Sequence, residues 1–251
     1  MTNRNNISLS IFLFLFATVF VMMPFISSCN KSGTVAPSSL NIQYQVINLS
    51  PDQGPLDLYI NFLKVNTSSF YYPTPSGYFF LTSIVTPFQI RPATGTTING
   101  VPVSTVPVFS IDSILKPNLK YTLFITGLSS VDSVRPIFVP DTAPLPTVGR
   151  GKLRFINASP RSQDLDLTAN GISPSTGEFT KLSYLKVSPY VELPAGNYNF
   201  QIYPTGNRTN VLLKMLNFTI EDGRLYTMYC YGLEGHTTDT VAFGSNIVTN
   251  K

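Results

Sequence analysis

Val46-Ile47-Asn48-Leu49-Ser50-Pro51 returns 109 residues later as Phe155-Ile156-Asn157-Ala158-Ser159-Pro160, and Leu56-Asp57-Leu58 returns at the same interval as Leu165-Asp166-Leu167. Further along, Phe88-Gln89-Ile90-Arg91-Pro92 matches Phe200-Gln201-Ile202-Tyr203-Pro204. Tyr121-Thr122 and Gly127-Leu128 match Tyr226-Thr227 and Gly232-Leu233. Blocks that keep their order at nearly constant spacing mark an internal duplication. A unit of roughly 100 residues is too long for a solenoid repeat and suits a free-standing domain. Between the units, the stretch from Val139 to Arg150 carries Pro140, Pro144 and Pro146 and has no apolar period, which predicts a stiff, extended linker.

Within each unit the apolar runs are short and rich in β-branched and aromatic residues, as in Leu153 to Ile156, Tyr198 to Tyr203, Leu212 to Ile220 and Tyr226 to Tyr231. Turn sequences such as Pro194-Ala195-Gly196-Asn197 and Glu221-Asp222-Gly223-Arg224 separate them. Phe200 and Ile202 alternate, as do Leu216, Phe218 and Ile220, which predicts strands with one buried face. No segment sustains a helical period for three turns. The expectation is an all-β chain of two tandem antiparallel β-sandwich domains, over 40–140 and 151–251, joined by a Pro-rich linker over 141–150.

The block from Leu153 to Pro160, with Leu165-Asp166-Leu167, Leu193-Pro194-Ala195-Gly196-Asn197-Tyr198 and Gly223-Arg224-Leu225-Tyr226-Thr227, resembles a domain-of-unknown-function family, number 4397, common in bacterial envelope lipoproteins. Leu40 to Leu128 resembles it less fully, because Thr82 to Thr86 replaces the Pro-Ala-Gly turn and Thr96 to Val106 is inserted. The resemblance implies an immunoglobulin-like sandwich and brings no catalytic residues. The paired Asn-x-Ser-Pro blocks can be read as ligand-touching loops or as turn caps, and turn chemistry favours the second, with Asn48 and Asn157 capping the end of a strand.

The amino terminus gives an address. Arg4 precedes an apolar run from Ile11 to Met23 that spans roughly 20 Å as a helix, short of a hydrocarbon core of about 30 Å. This predicts a signal peptide over 1–28 rather than a membrane-spanning anchor. Ile26-Ser27-Ser28-Cys29 resembles the bacterial lipobox, so Cys29 is expected to be thioether-lipidated and freed as the new N-terminus, anchored by three acyl chains including palmitate, at the head of a lipidated flexible tether over 29–39. Residue 30 is Asn, so the inner-membrane retention signal of enteric lipoproteins is missing and the outer membrane is the expected destination. Asn30-Lys31-Ser32-Gly33 lacks the acidic residues of surface-exported Bacteroidota lipoproteins, which favours the periplasmic face over the cell surface. With Cys29 lipidated, only Cys230 remains, in a β-like run where a small buried hydrophobe is expected.

Composition excludes several chemistries. Only 12% of residues are charged, the net charge of +4 is dispersed, and no Lys/Arg stripe exists to track phosphates, so no nucleic-acid partner is expected. One His and two Cys cannot assemble a zinc site, so no metal or other cofactor is expected. His236 has no Gly-x-Ser-x-Gly elbow to serve. Asp164 and Asp166 alternate on a strand, but Pro55 stands where the other repeat would need its second carboxylate, so the pair is read as a solvated strand face. The chain is therefore expected to be non-enzymatic.

Two patterns remain open. Phe70-Tyr71-Tyr72-Pro73-Thr74-Pro75-Ser76-Gly77-Tyr78-Phe79-Phe80 concentrates aromatic rings on a Pro-bearing stretch. Tyr71, Tyr72 and Tyr78 could stack on sugar faces or a partner's apolar surface, or the segment could fill a sandwich core. Ser113, Ser133, Thr142 and Thr240 each follow Asp and precede an aliphatic residue or Ala, which resembles the O-glycosylation sequon of the Bacteroidota envelope and is equally ordinary turn chemistry. The expected role is a binding or structural envelope module with an envelope protein or glycan as partner. The alternative is a glycan-binding accessory lipoprotein of a polysaccharide-uptake system.

Overall fold

The computed structural model describes residues 40–251, apart from 94–96, 99–100, 103–105, 132 and 171–178. The signal peptide, Cys29 and the tether lie outside the described residues. The described chain is all β and contains no helix.

The first repeat supplies β1 (Gln43–Leu49), β2 (Leu56–Ile60), β3 (Leu63–Lys64), β4 (Phe79–Phe80), β5 (Phe88–Pro92), β6 (Thr97–Ile98), β7 (Val101–Pro102), β8 (Phe109–Ile111), β9 (Lys120–Thr126) and β10 (Arg135–Pro140). The second supplies β11 (Arg150–Asn157), β12 (Leu165–Ala169), β13 (Val191–Pro194), β14 (Gly196–Pro204), β15 (Leu213–Ile220), β16 (Leu225–Tyr231) and β17 (Gly244–Thr249). One sandwich faces a β3-β2-β5-β8 sheet with a β10-β9-β1-β4 sheet, and the other faces β12-β14-β15 with β13-β11-β16-β17. β6 and β7 form a small separate hairpin.

Each sandwich is antiparallel except for one pair. β1 runs parallel to β9, and β11 runs parallel to β16. Parallel neighbours need a long crossover, and here the crossover is the opposite sheet of the same sandwich. Tyr121 and Tyr226 fix the start of the returning strand, each hydroxyl accepting the backbone N–H five residues upstream, from Lys116 at 2.9 Å and Glu221 at 3.1 Å. Immunoglobulin-like sandwiches use a tyrosine in this way.

The two sandwich cores are filled by equivalent residues, Val46, Leu56, Leu58, Ile90 and Leu123 in one and Phe155, Leu165, Leu167, Ile202 and Met228 in the other. A third apolar cluster lies between the sandwiches, where Ile47, Leu49, Phe124, Ile137 and Val139 of the first repeat pack on Ile156, Ala158 and Tyr229 of the second. The chain is therefore a stack of four sheets. The stretch 141–150 that joins the two sandwiches is pinned along its length. Asp141 N–H bonds Lys120 O, Lys152 Nζ bonds Pro144 O, and Thr147 Oγ1 bonds Glu192. The inner strands β1, β9, β11 and β16 are buried on both faces, so they show apolar runs where an outer strand would alternate.

Two expectations change. Leu216 faces solvent, because the register of β14 and β15 shifts between Tyr198 and Phe200 and Asn217 adopts φ 58°. The bulge turns Met215 inward in place of Leu216. Asp166 is buried rather than on a solvated face, and accepts from Lys181 N–H at 2.8 Å and Thr205 Oγ1 at 2.7 Å. Its repeat partner Asp57 is buried too, bound by Lys64 Nζ at 2.7 Å and Asn66 Nδ2 at 2.9 Å.

Burial pushes the Asp57 carboxyl up, but the bonds from Lys64 and Asn66 outweigh it and hold the group below the usual carboxylate range. Its contribution to stability is complete above the unfolded value of about 3.9 and is lost as pH falls through the depressed folded value. Thermal melts from pH 7 to pH 2 are expected to show a decline beginning near pH 4, and Asp57→Asn is expected to shrink it.

Candidate functional site

Leu40 O accepts from Asn118 N–H at one end of the first sandwich, and β1 and β9 both run from there to the opposite end. At that distal end the Asn-x-Ser-Pro blocks act as the turn chemistry predicts. Asn48 Oδ1 accepts Ser50 N–H at 3.1 Å, its amide reaches Phe70 O, and Ser50 Oγ donates to Gly127 O at 2.8 Å. Asn157, Ser159, Leu182 O and Gly232 O repeat the arrangement. Thr126 Oγ1 then bonds Ala158 O at 2.5 Å, tying the distal ends of the two sandwiches together.

The junction between the repeats carries a buried polar network. The Arg154 guanidinium pairs with Asp141 and also donates to Thr227 Oγ1 and Pro140 O, both at 2.8 Å, while stacking on the Tyr190 ring. Asp141 further accepts from Thr122 Oγ1 at 2.6 Å and the Tyr78 hydroxyl at 2.8 Å. Asn250 accepts from Thr227 Oγ1 and Tyr190 and donates to Tyr78 at 3.0 Å. Burial pushes the Asp141 carboxyl up, against the pull of Arg154 and the two hydroxyls.

These residues are repeat partners of one another. Gln45 and Arg154 share one interval, Thr122 and Thr227 a second, Tyr78 and Tyr190 a third, and Pro140 and Thr249 lie opposite Tyr121 and Tyr226, which makes Asp141 and Asn250 equivalent. Phe124 and Tyr229, also equivalent, meet across the junction with ring centroids 5.2 Å apart. The same face of each repeat therefore packs on its own counterpart, as in an isologous dimer. The role of Arg154, Asp141 and Asn250 could have been found by continuing the repeat comparison into the linker and the carboxyl terminus.

The aromatic segment is shared out rather than forming one platform. Phe70 and Phe79 join the first sandwich core, Tyr72 packs edge-on against Tyr231 of the second repeat, and Tyr78 is held in the polar network. Tyr71 and Phe80 are exposed. A groove of about 320 Å³ beside Phe80 is lined by Val65, Asn66, Ser68, Phe70, Ser76 and Phe80 among others.

Ser133, Thr142 and Thr240 are exposed and Ser113 is half-buried, whereas Asp141, ahead of Thr142, is consumed by the junction. His236 lies in an exposed loop with Nδ1 2.5 Å from Asp239. Among the described residues no group of three or more His, Cys, Asp or Glu is placed to hold a metal. Cys230 is fully buried against Ile156 O and Asn157 Oδ1, and burial pushes its thiol up to about 12. Maleimide labelling of Cys230 is expected to be negligible in the folded protein and complete in denaturant, read as a mass shift.

Two sandwiches fused through a symmetric face, with paired loops at one end, define a tandem β-sandwich protein. The family model described as Domain of unknown function (DUF4397) matches residues 43–168 and again 151–246, and the chain belongs to this family. No curated protein matches the chain.

Proposed function

We propose that the protein is a lipid-anchored envelope protein of the outer membrane that acts without catalysis, presenting the distal loops and sheet edges of a rigid double sandwich to a partner. The observation that carries this reading is the geometry of the fused repeats: the Asn-x-Ser-Pro turns of both sandwiches are tied together at one end, beside the loops that link their strands. The locked junction favours the reading, because a preformed surface binds without the entropic cost of ordering two mobile domains.

Globomycin treatment is expected to block cleavage and Cys29→Ser to block lipidation, each leaving uncleaved precursor. Processing that continues unchanged in both would overturn the anchor. Protease shaving of intact cells assigns the face, with protection expected for a periplasmic position. A second reading, a glycan-binding accessory protein, draws support from the groove beside exposed Phe80. Loss of glycan-array binding in Phe80→Ala with an unchanged melting temperature would favour it.

A further inference from the structure

Phe62, Leu63, Val85 and Ile114 are each more than half exposed, Ile114 almost completely. Strand pairing brings their loops to one end of the first sandwich. Phe62 sits in the turn between β2 and β3, where Ile60 pairs with Leu63. Asn61 N–H bonds Pro87 O at 3.1 Å, which sets this turn beside the 81–87 loop that holds Val85. Phe88, next in the chain, pairs with both Ile60 and Ile111, so the 112–119 loop that holds Ile114 starts at the same end. These loops contain one acid, Asp112, and one base, Lys116. The matching end of the second sandwich has exposed Val148, but Glu221, Asp222 and Arg224 make its turn charged.

The backbone at Phe62 adds a second observation. Asn61 and Phe62 have φ 48° and 66°, the two left-handed residues of a type I′ hairpin, whose second place ordinarily falls to glycine. A bulky side chain is unfavourable in that conformation. With 61% of Phe62 exposed, burial within the fold does not offset the cost. Strain kept at an exposed site points to a use outside the fold, and apolar side chains gathered at one end mark a contact surface.

The chain itself points to what that surface meets. Leu40 O accepts Asn118 N–H at 2.9 Å and Asn41 Nδ2 donates to Asn118 Oδ1 at 3.2 Å. Residues 40 and 41 are thereby fastened to the loop that carries Ile114. Eleven residue steps separate Leu40 from Cys29, a contour of at most about 40 Å. A lipid on Cys29 would keep this end within that reach of a bilayer, where even weak insertion becomes an intramolecular event.

We propose that this end of the first sandwich enters the bilayer interface, with Phe62, Leu63, Val85 and Ile114 at the boundary of headgroups and acyl chains. Apolar side chains held on a polar scaffold enter that boundary to a depth of about 5–10 Å. The proposal rests on reading the chain as lipid-anchored and adds a second membrane contact, made by the folded protein itself.

The sequence has no Trp, so F62W and I114W each place a single fluorescent reporter in a different loop. L216W on β15 is the control, because Leu216 is as exposed as Phe62. Each lipidated full-length variant is reconstituted into vesicles of phosphatidylethanolamine and phosphatidylglycerol, with and without bromine on the acyl chains. Bromination is expected to quench F62W and I114W about 2-fold or more, as insertion to the acyl boundary requires, and to leave L216W unchanged. Thermal melts establish that the variants are folded, and if one reporter variant is not, the other decides. Absence of quenching in F62W and I114W, in chains whose intact mass includes the acyl groups, would overturn the proposal and leave the anchor standing. Equal quenching of all three variants would also overturn it, since the contact would not be confined to this end. A chain recovered without acyl groups would overturn the anchored reading and this proposal with it.

Discussion

Asp141→Ala is expected to lower the unfolding free energy by about 3–5 kcal/mol, the usual consequence of leaving one member of a buried ion pair alone. The Asp141 side chain is 0% exposed and that of Arg154 5% exposed, so water cannot replace the lost carboxylate. Tyr78 would lose its acceptor in the same step, and Thr122 the nearer of its two, leaving Gln45 Oε1 at 3.3 Å. Asp141→Asn is expected to cost less, since Asn250 already serves the equivalent position as an amide. Replacing both partners, as Asp141→Leu with Arg154→Met, is expected to recover part of the loss, because apolar pairs of similar volume often match a buried ion pair. Urea unfolding of the wild type, Asp141→Leu, Arg154→Met and the double variant gives the coupling as a double-mutant cycle. A cost below about 1 kcal/mol for Asp141→Ala would show that the pair behaves as a surface ion pair does.

Gly232→Ala is expected to be at least as damaging. Gly232 has φ 74°, and a Cβ there would overlap the Ala242 carbonyl and lie 2.7 Å from Val241 O. Both obstacles are backbone and cannot swing aside as a side chain would. A left-handed alanine alone costs about 1–2 kcal/mol, so a total of about 4 kcal/mol or more is expected, in the range reserved for severe lesions. Gly223 separates the two contributions, having the same φ of 74° but no atom within 4 Å of an added Cβ. Gly223→Ala is therefore expected to show only the conformational cost. Equal losses for the two variants would refute the steric argument.

Much of the architecture was legible in the sequence. The duplication, the strand-and-turn punctuation and the capping role of Asn48 and Asn157 all depend on local chemistry, which a short window contains. The packing of one sandwich on the other was not, although Tyr121 to Ile125 and Tyr226 to Tyr231 carried its mark as apolar runs without alternation. Those runs were ambiguous because a strand buried on both faces and a short core segment look alike. The contacts of the linker were hidden for a related reason. Pro140, Pro144 and Pro146 do keep it extended, but Asp141 among them is read as a turn residue until Arg154 is placed beside it. The bulge at Asn217 was equally hidden, since the count of residues between two partners is set by the neighbouring strand. Asp166 looked solvated because the turns that bury it, around Lys181 and Thr205, are distant in sequence.

Joining two copies in one chain also changes what a symmetric contact can become. In a homodimer every substitution appears twice, so a pocket on one side of the axis has a twin on the other. Here the halves are free to diverge, and they have: one corner holds Arg135 and Arg161 where its twin holds Gly244 and Asp52. The molecule keeps the two-fold packing of a dimer while its two corners differ in side chains, so a substitution at one corner changes one place in the chain and leaves its twin intact.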